Sequence, residues 1–232
     1  MAIINIETAT TVCSVAVSEG GKVIIDKVSF DGPSHATLLG VFVKETVTEI
    51  KSLGLKIDAV AVSSGPGSYT GLRIGVSMAK GLCFGYNIPL LSIHTLDILA
   101  YKAVKELHVS ADSLFCAMLD ARRMEVYSAI YDKTLKKVCE TQANIVTEDT
   151  YARFLEKQPV CFFGNGAGKC RNVIQSQNAL FIDDLHPLAG DMAELSEQAY
   201  AEKRFEDVAY FEPFYLKDFV ATVAKNKVLA EM

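Results

Sequence analysis

The residues able to do chemistry fall in a few short stretches of this 232-residue chain. The densest reads Ser63-Ser64-Gly65-Pro66-Gly67-Ser68-Tyr69-Thr70-Gly71-Leu72-Arg73-Ile74-Gly75. Pro66 fixes its own φ, and the glycines on either side take angles closed to other residues. Ser68 or Thr70 can cap a following helix through its hydroxyl. A turn of this kind aims backbone N–H groups at whatever sits on the helix N-terminus, as phosphate-binding turns do. It is not a P-loop, because no Gly-Lys-Ser/Thr follows at the required spacing, and Gly65, Gly67 and Gly71 miss the dinucleotide fingerprint.

Three further stretches carry polar chemistry. Glu7-Thr8-Ala9-Thr10-Thr11 sets a carboxylate among hydroxyls. In Asp120-Ala121-Arg122-Arg123, two guanidinium groups can clamp a phosphate or carboxylate, or else close a hairpin turn with a salt bridge. Gly164-Asn165-Gly166-Ala167-Gly168-Lys169 reads as a second phosphate turn or as a plain strand-to-helix connection. From these stretches Glu7, Thr10, Gly65, Gly67, Arg122, Gly164 and Gly166 are the candidate phosphate- or nucleotide-facing positions. Ser63-Ser64 does not form a G-x-S-x-G elbow, and no nucleophile is paired with a base. His94 has Ile98 four residues on rather than a second imidazole, so no metal site is expected. His35 opens a helix, where a capping or interface role is expected. His108 and His186 have no partner in sequence.

The elements that must position these residues follow from hydrophobic period and turn signals. Strands are expected at residues 2–6, 12–17 and 23–28, then a helix opened by Pro33-Ser34 and ended by Gly54. A buried strand over 57–62 leads into the glycine turn, and a helix over 70–84 leaves it. A strand at 89–93 and a helix over 94–107 follow. The order then restarts: strands at 114–119, 125–131 and 136–141, a helix over 148–157, a strand at 160–163, the second glycine turn, a helix from about 169, a short strand at 180–182 and a helix over 192–204. Asp120 falls where Glu7 stands in the first copy. A last helix is expected over 218–229.

The bulk composition agrees with two packed units. Half the residues are hydrophobic and 22% are charged, which supports a large core and excludes a disordered chain. A net charge of -5 disfavours a protein that holds nucleic acid by itself through a basic surface. No run reaches the length of a membrane span, and the first residues lack the basic region of a secretory signal. Six cysteines without a Cys-x-x-Cys pair read as free thiols of a reducing compartment.

Two βββαβα units in one chain describe the duplicated ribonuclease-H-like arrangement of the actin-like ATPases, an α/β fold with a mixed sheet in each lobe. We assign residues 1–102 plus about 212–232 to the first lobe and 103–211 to the second.

The motifs Ile6-Glu7-Thr8-Ala9-Thr10, Gly65 to Gly75, Asp120-Ala121-Arg122-Arg123 with Glu125-Val126-Tyr127, Gly164-Asn165-Gly166, and Pro213 with Tyr215-Leu216-Lys217 resemble the TsaB (YeaZ) family. They occur in order from residue 3 to residue 217. The resemblance implies an actin-like fold without catalysis of its own. It implies pairing with the related protein TsaD and with the ATPase TsaE, or with a second copy as a homodimer. That assembly transfers a threonylcarbamoyl group to the adenosine immediately after the anticodon of tRNA. It further implies a cytoplasmic protein that meets tRNA only through the complex and touches no membrane. No intrinsic cofactor is implied, and ATP, ADP or Mg only in the complex. TsaD carries a histidine pair absent here, and Glu7 stands where relatives of this fold carry Asp. A free-standing ATPase or small-molecule kinase of the same fold is the alternative.

Gly71, Gly75 and Ala79 recur every fourth residue and leave one face of the 70–84 helix nearly bare. Glycine inside a helix costs about 1 kcal/mol relative to alanine, and close approach of another backbone is the usual gain. That backbone can belong to the chain's own sheet or to a second protein. We expect the second protein, with His35, Leu39, Gly71, Leu72, Arg73, Gly75, Val76 and Ala79 as contact residues.

Overall fold

The computed structural model describes residues 1–32 and 35–217. Pro33, Ser34 and the helix expected over 218–229 lie outside them. β1 (Ala2–Glu7), β2 (Cys13–Glu19) and β3 (Lys22–Ser29) form an antiparallel meander, followed by α1 (His35–Ser52). β4 (Ile57–Gly65) pairs parallel with β1, and after α2 (Tyr69–Tyr86) β5 (Leu90–His94) pairs parallel with β4. The sheet order is β3-β2-β1-β4-β5.

After α3 (Thr95–Glu106) the same order repeats. β6 (Leu114–Asp120), β7 (Glu125–Tyr131) and β8 (Lys137–Ile145) form the second meander. β9 (Val160–Phe163) pairs parallel with β6, and β10 (Ala179–Ile182) with β9. The sheet therefore reads β8-β7-β6-β9-β10, the image of the first. The chain is a duplicated ribonuclease-H-like, actin-like α/β fold. Glu7 and Asp120 end the first strand of each copy.

The sequence explains the layering. β1 and β4 lie inside their sheet, so their apolar runs are buried on both faces. Edge strand β8 alternates half-buried and exposed residues. Ile4, Ile6, Val15 and Val17 pack under α1 and α2 through Leu39, Val43, Ile50, Val76, Ala79 and Cys83. The opposite face, with Ile3, Ala61 and Leu91, meets Ile98 of α3 together with Met192 and Ala199. Leu96, Leu99, Ala100 and Ala103 of α3 pack on Phe115, Ala117 and Phe163 of the second sheet. Helix α3 is thus the shared middle layer.

This packing corrects the lobe boundaries. A division after residue 102 cuts through α3, which packs on both sheets, Ile98 on the first and Leu96, Leu99, Ala100 and Ala103 on the second. Helix α5 (Ala193–Ala201), assigned with 103–211, carries Ala199 onto the first sheet. Amphipathic period identifies a helix and its apolar face; it does not name the sheet that face meets.

Two second-half helices are shorter than the period suggested. The helix expected over 148–157 narrows to α4 (Ala152–Leu155). Thr150 Oγ1 takes the Thr147 N–H at 2.8 Å, a local bond that competes with helix initiation. The helix expected from 169 is a 3-10 turn, Gly168–Cys170, followed by the weak helix formers Asn172, Ser176 and Asn178.

Beyond α5 the chain runs as an extended strap. The Glu206 N–H bonds Leu90 O at 2.9 Å and covers the open edge of β5. Lys80 Nζ donates to the carbonyls of Ala209 and Phe211, both at 3.0 Å. The Phe214 N–H reaches Ser64 O at 2.7 Å, and Lys217 pairs with Glu125 of the second lobe.

Candidate functional site

The glycine turn and the first polar turn meet each other. Ser68 caps α2, its Oγ accepting the Gly71 N–H at 3.2 Å. The Ser68 N–H donates to Ala9 O at 2.7 Å, and Leu72 N–H to Ser68 O at 2.8 Å. Thr8 Oγ1 donates to Gly71 O at 2.8 Å. His35, the first residue of α1, donates from Nε2 to Thr10 O at 2.7 Å. The polar turn is thereby held from two helices.

The glycines are the reason it fits. A Cβ on Gly71 would lie 2.0 Å from Thr8 O, one on Gly75 2.2 Å from Thr8 Oγ1, and one on Gly67 2.5 Å from Ala9 O. Real Cβ atoms do not approach oxygen that closely, so residues 8–9 exclude any side chain there. Gly65 sits at φ +107°, in the left-handed region open to glycine, with its N–H on Thr95 Oγ1 at 3.2 Å.

Glu7 lies behind this contact with no exposed surface. Its Oε1 accepts the Ala9 N–H at 2.5 Å, while Oε2 lacks a hydrogen-bond partner. The Ser63 hydroxyl is the polar side chain beside the carboxyl and, with the Ala9 N–H, favours its charged form. Burial pushes the carboxyl up to about 8, against the opposing pull of the Ala9 N–H. At neutral pH it is predominantly the uncharged acid.

The second lobe repeats the device. A Cβ on Gly164 would lie 2.3 Å from Met118 O, and one on Gly166 2.7 Å from the Leu119 carbonyl carbon. Asp120 N–H donates to Asn165 Oδ1 at 3.0 Å, and Lys169 pairs with the Asp120 carboxylate. The hairpin-turn salt bridge thus belongs to Lys169, and Arg122 and Arg123 have no ion-pair partner among the described residues.

The candidate phosphate-facing residues consequently gather in two groups, Glu7, Thr10, Gly65 and Gly67 in one and Arg122, Gly164 and Gly166 in the other. In the first group the N–H groups of Ser68 and Gly71 are spent on Ala9 O and Ser68 Oγ, and the carboxyl is buried. In this conformation the N–H groups of Gly65, Ser68 and Gly71 and the Glu7 carboxyl all face the chain's own atoms.

The expected contact face is corrected in the same way. His35, Leu39, Gly71, Leu72, Gly75, Val76 and Ala79 are all buried, and Arg73 alone of that set is exposed. The bare face is closed from within by residues 8–10, because a glycine stripe admits a backbone and the nearest backbone is the chain's own. His94 is the N-cap residue of α3 without a side-chain capping bond; its ring packs edge-on against Phe214 at 5.4 Å.

The outer side of the same helix pair offers a different surface. Ala36, Tyr69, Ile74, Met78 and Leu82 line an open groove of about 810 Å³ between α1 and α2, with Arg73 at its rim. Ser77 and Gly81 leave it shallow, and Val41 and Phe84 on the same two helices are exposed apolar residues. Sequence reasoning passed over it although Ile74, Met78 and Leu82 stand four apart, one step round the helix from the glycines. It also missed the strap.

Comparison with known proteins agrees with this architecture. A family model described as TsaD, tRNA N6-adenosine threonylcarbamoyltransferase, matches residues 32–225. The tRNA threonylcarbamoyladenosine biosynthesis protein TsaB of Escherichia coli (strain K12) is 30% identical over 95% of this chain and 96% of its own length. Its namesake in Bacillus subtilis (strain 168) is 28% identical over 75% of this chain and 76% of its own. The structure of YeaZ from Pseudomonas aeruginosa superposes with a TM-score of 0.74 at 26% identity, covering 93% of this chain and 99% of that one. Among the described residues no helix is long and apolar enough to cross a membrane. With matched motifs, matched topology and a 30% identical relative along nearly its whole length, the chain belongs to the TsaB (YeaZ) family.

Proposed function

We propose that this chain is a non-catalytic accessory subunit in the biosynthesis of threonylcarbamoyladenosine in tRNA. It pairs through the outer α1/α2 groove with a TsaD-type transferase subunit, and a TsaE-type ATPase joins the assembly in the cytoplasm. Without that partner, the same groove takes a second copy of the chain. The TsaD-type subunit carries the transfer to the adenosine after the anticodon, and any ATP, ADP or Mg acts in the complex.

One observation carries the non-catalytic reading: Thr8 O stands 2.0 Å from the position of a Gly71 Cβ. Where this fold would receive a phosphate, the chain packs its own turn. The exposed apolar groove supports the pairing, since an unpartnered apolar surface on two adjacent helices marks an interaction site.

The test is threonylcarbamoylation of tRNA reconstituted from purified subunits with and without this chain, alongside ATP hydrolysis by the chain alone with Mg²⁺. Activity that requires the chain, with no hydrolysis by it alone, supports the reading. Transfer of equal rate in its absence sinks the accessory role. Robust hydrolysis abolished by Glu7→Ala would establish instead a free-standing ATPase.

A further inference from the structure

A second surface is formed by the hairpin turn between β6 and β7 and the end of the strap that meets it through Lys217 and Glu125. The hairpin turn between β6 and β7 places Arg122 at φ +69° and Arg123 at φ +49°. Two successive arginines in the left-handed region are unusual, because glycine, asparagine and aspartate take that conformation with less strain. The turn is held from outside the arginine side chains. Asp120 Oδ1 accepts the Arg122 N–H at 3.0 Å, Ala121 N–H bonds Glu125 O at 3.1 Å, and Glu125 N–H bonds Arg122 O at 3.1 Å. Both arginines are exposed, and neither guanidinium has an ion-pair partner among the described residues.

Among the described residues Asp120 is neutralised by Lys169 and Glu125 by Lys217, so the excess charge at the turn is that of the two arginines, with the Glu212 carboxylate nearer Tyr215. The patch is therefore cationic on a chain whose net charge is -5. Aromatic rings interleave with it. Tyr127 lies within electrostatic reach of Lys217, Glu125 and Arg122. Tyr215, two residues before Lys217, is 36% exposed, and its ring packs 5.0 Å from that of Tyr69. The strap thus brings Lys217 to Glu125 beside the arginine turn, while Tyr215, two residues earlier, packs on Tyr69 with Arg73 and Glu212 near its hydroxyl.

We propose that Arg122, Arg123 and Tyr215, flanked by Tyr127 and by the Lys217–Glu125 ion pair, form a contact surface for RNA, the arginines taking the phosphates and Tyr215 an unstacked base of a single-stranded loop. Guanidinium groups without an ion-pair partner among the described residues neutralise phosphates, and the exposed Tyr215 ring offers a stacking platform for a splayed base, with half-buried Tyr127 beside the arginines. An acidic peptide would use the cations but leave the rings without a role. The proposal rests on the reading of the chain as a subunit of a tRNA-modifying assembly, and it adds a direct contact to that reading. The -5 balance keeps the contact weak in the isolated chain, with a dissociation constant on the order of 10–100 µM at low salt.

The experiment titrates a fluorescently labelled RNA stem-loop with the full chain and follows anisotropy at several salt concentrations. The expected result is saturable binding by the wild type. Arg122→Gln with Arg123→Gln should weaken it about tenfold and reduce the salt slope by about 1.4. Tyr215→Ala should weaken it at least fivefold, and Tyr215→Phe should restore it. A thermal melt of each variant shows that it remains folded, and Lys217→Gln provides a second, independent loss of charge. No binding by the wild type at low salt, or unchanged affinity and slope in the arginine variant, overturns the proposal. So does competition by polyglutamate as effective as by unlabelled RNA. Pairing with a TsaD-type partner is measured separately by pull-down, so failure of the RNA contact and failure of the accessory-subunit reading are told apart.

Discussion

Thr8 and Gly71, separated by 63 positions in sequence, share one hydrogen bond and one impossible distance. Thr8 Oγ1 donates to Gly71 O at 2.8 Å, and the Thr8 carbonyl occupies the space of a Gly71 side chain. The pair fastens the first turn of the chain to the N-terminus of α2. Gly75 faces the same threonine through its hydroxyl rather than its carbonyl, and the two glycines therefore answer differently to substitution.

Gly71→Ala forces a methyl group against a backbone carbonyl that the sheet holds in place. The expected cost is about 1–3 kcal/mol despite roughly 1 kcal/mol gained in helix propensity. Gly75→Ala meets only the Thr8 hydroxyl, so the double variant with Thr8→Ala should recover about 1 kcal/mol of its loss. The Gly71→Ala loss should not be recovered in that background. Urea unfolding of the wild type, the three single variants and the two double variants checks both cycles, and equal recovery at both glycines would contradict the assignment of the two contacts.

Glu7 sets a pH dependence of definite sign. The fold raises its carboxyl from 4.5 to about 8 by burial, so the folded chain keeps a proton that the unfolded chain releases. Its stabilisation is full below about pH 4.5, declines as pH rises toward about 8, and then levels. The limiting slope is about 1.4 kcal/mol per pH unit. Asp26 and Asp191 are raised by burial as well and act in the same direction. Glu7→Gln should flatten the decline and melt above the wild type near pH 8. Thermal melts across this range decide it, and an unchanged pH profile in the variant would show the carboxyl to be solvated.

The outer groove can be separated from the inner glycine face. Ser77 is exposed on the groove side of α2. Ser77→Arg should change stability by no more than about 0.5 kcal/mol while placing a charge in the contact with a partner. Sedimentation of the chain with a TsaD-type subunit should show lost pairing at unchanged melting temperature. Gly75→Leu should instead lower the melting temperature, because it strikes Thr8 within the same molecule.

The strap depends on Lys80, whose ammonium holds the carbonyls of Ala209 and Phe211. Lys80→Met removes both bonds and keeps most of the packing volume. The expected loss is about 1 kcal/mol, confined to residues 205–217. Limited proteolysis should cleave there several-fold faster with the global melt nearly unchanged, and an unaltered cleavage rate would show that Glu206 and Phe214 hold the strap without it.

The amino-acid order alone determined the repeat. Uninterrupted apolar strands, one polar turn after the first strand of each half and a glycine turn after the fourth are local signals, and the paired sheets follow from them. The spacing of Gly71, Gly75 and Ala79 announced an intimate contact with another backbone, because nothing else compensates glycines within a helix. The identity of that backbone was decided only in three dimensions. Parallel pairing of β1 with β4 brings residues 8–10 onto the start of α2, and helix periodicity records the shape of a face rather than its occupant. The same limit hid the packing of α3 on both sheets, the return of α5 to the first sheet and the route of the strap. Each depends on where distant chain segments are delivered by sheet register, a quantity no local pattern encodes.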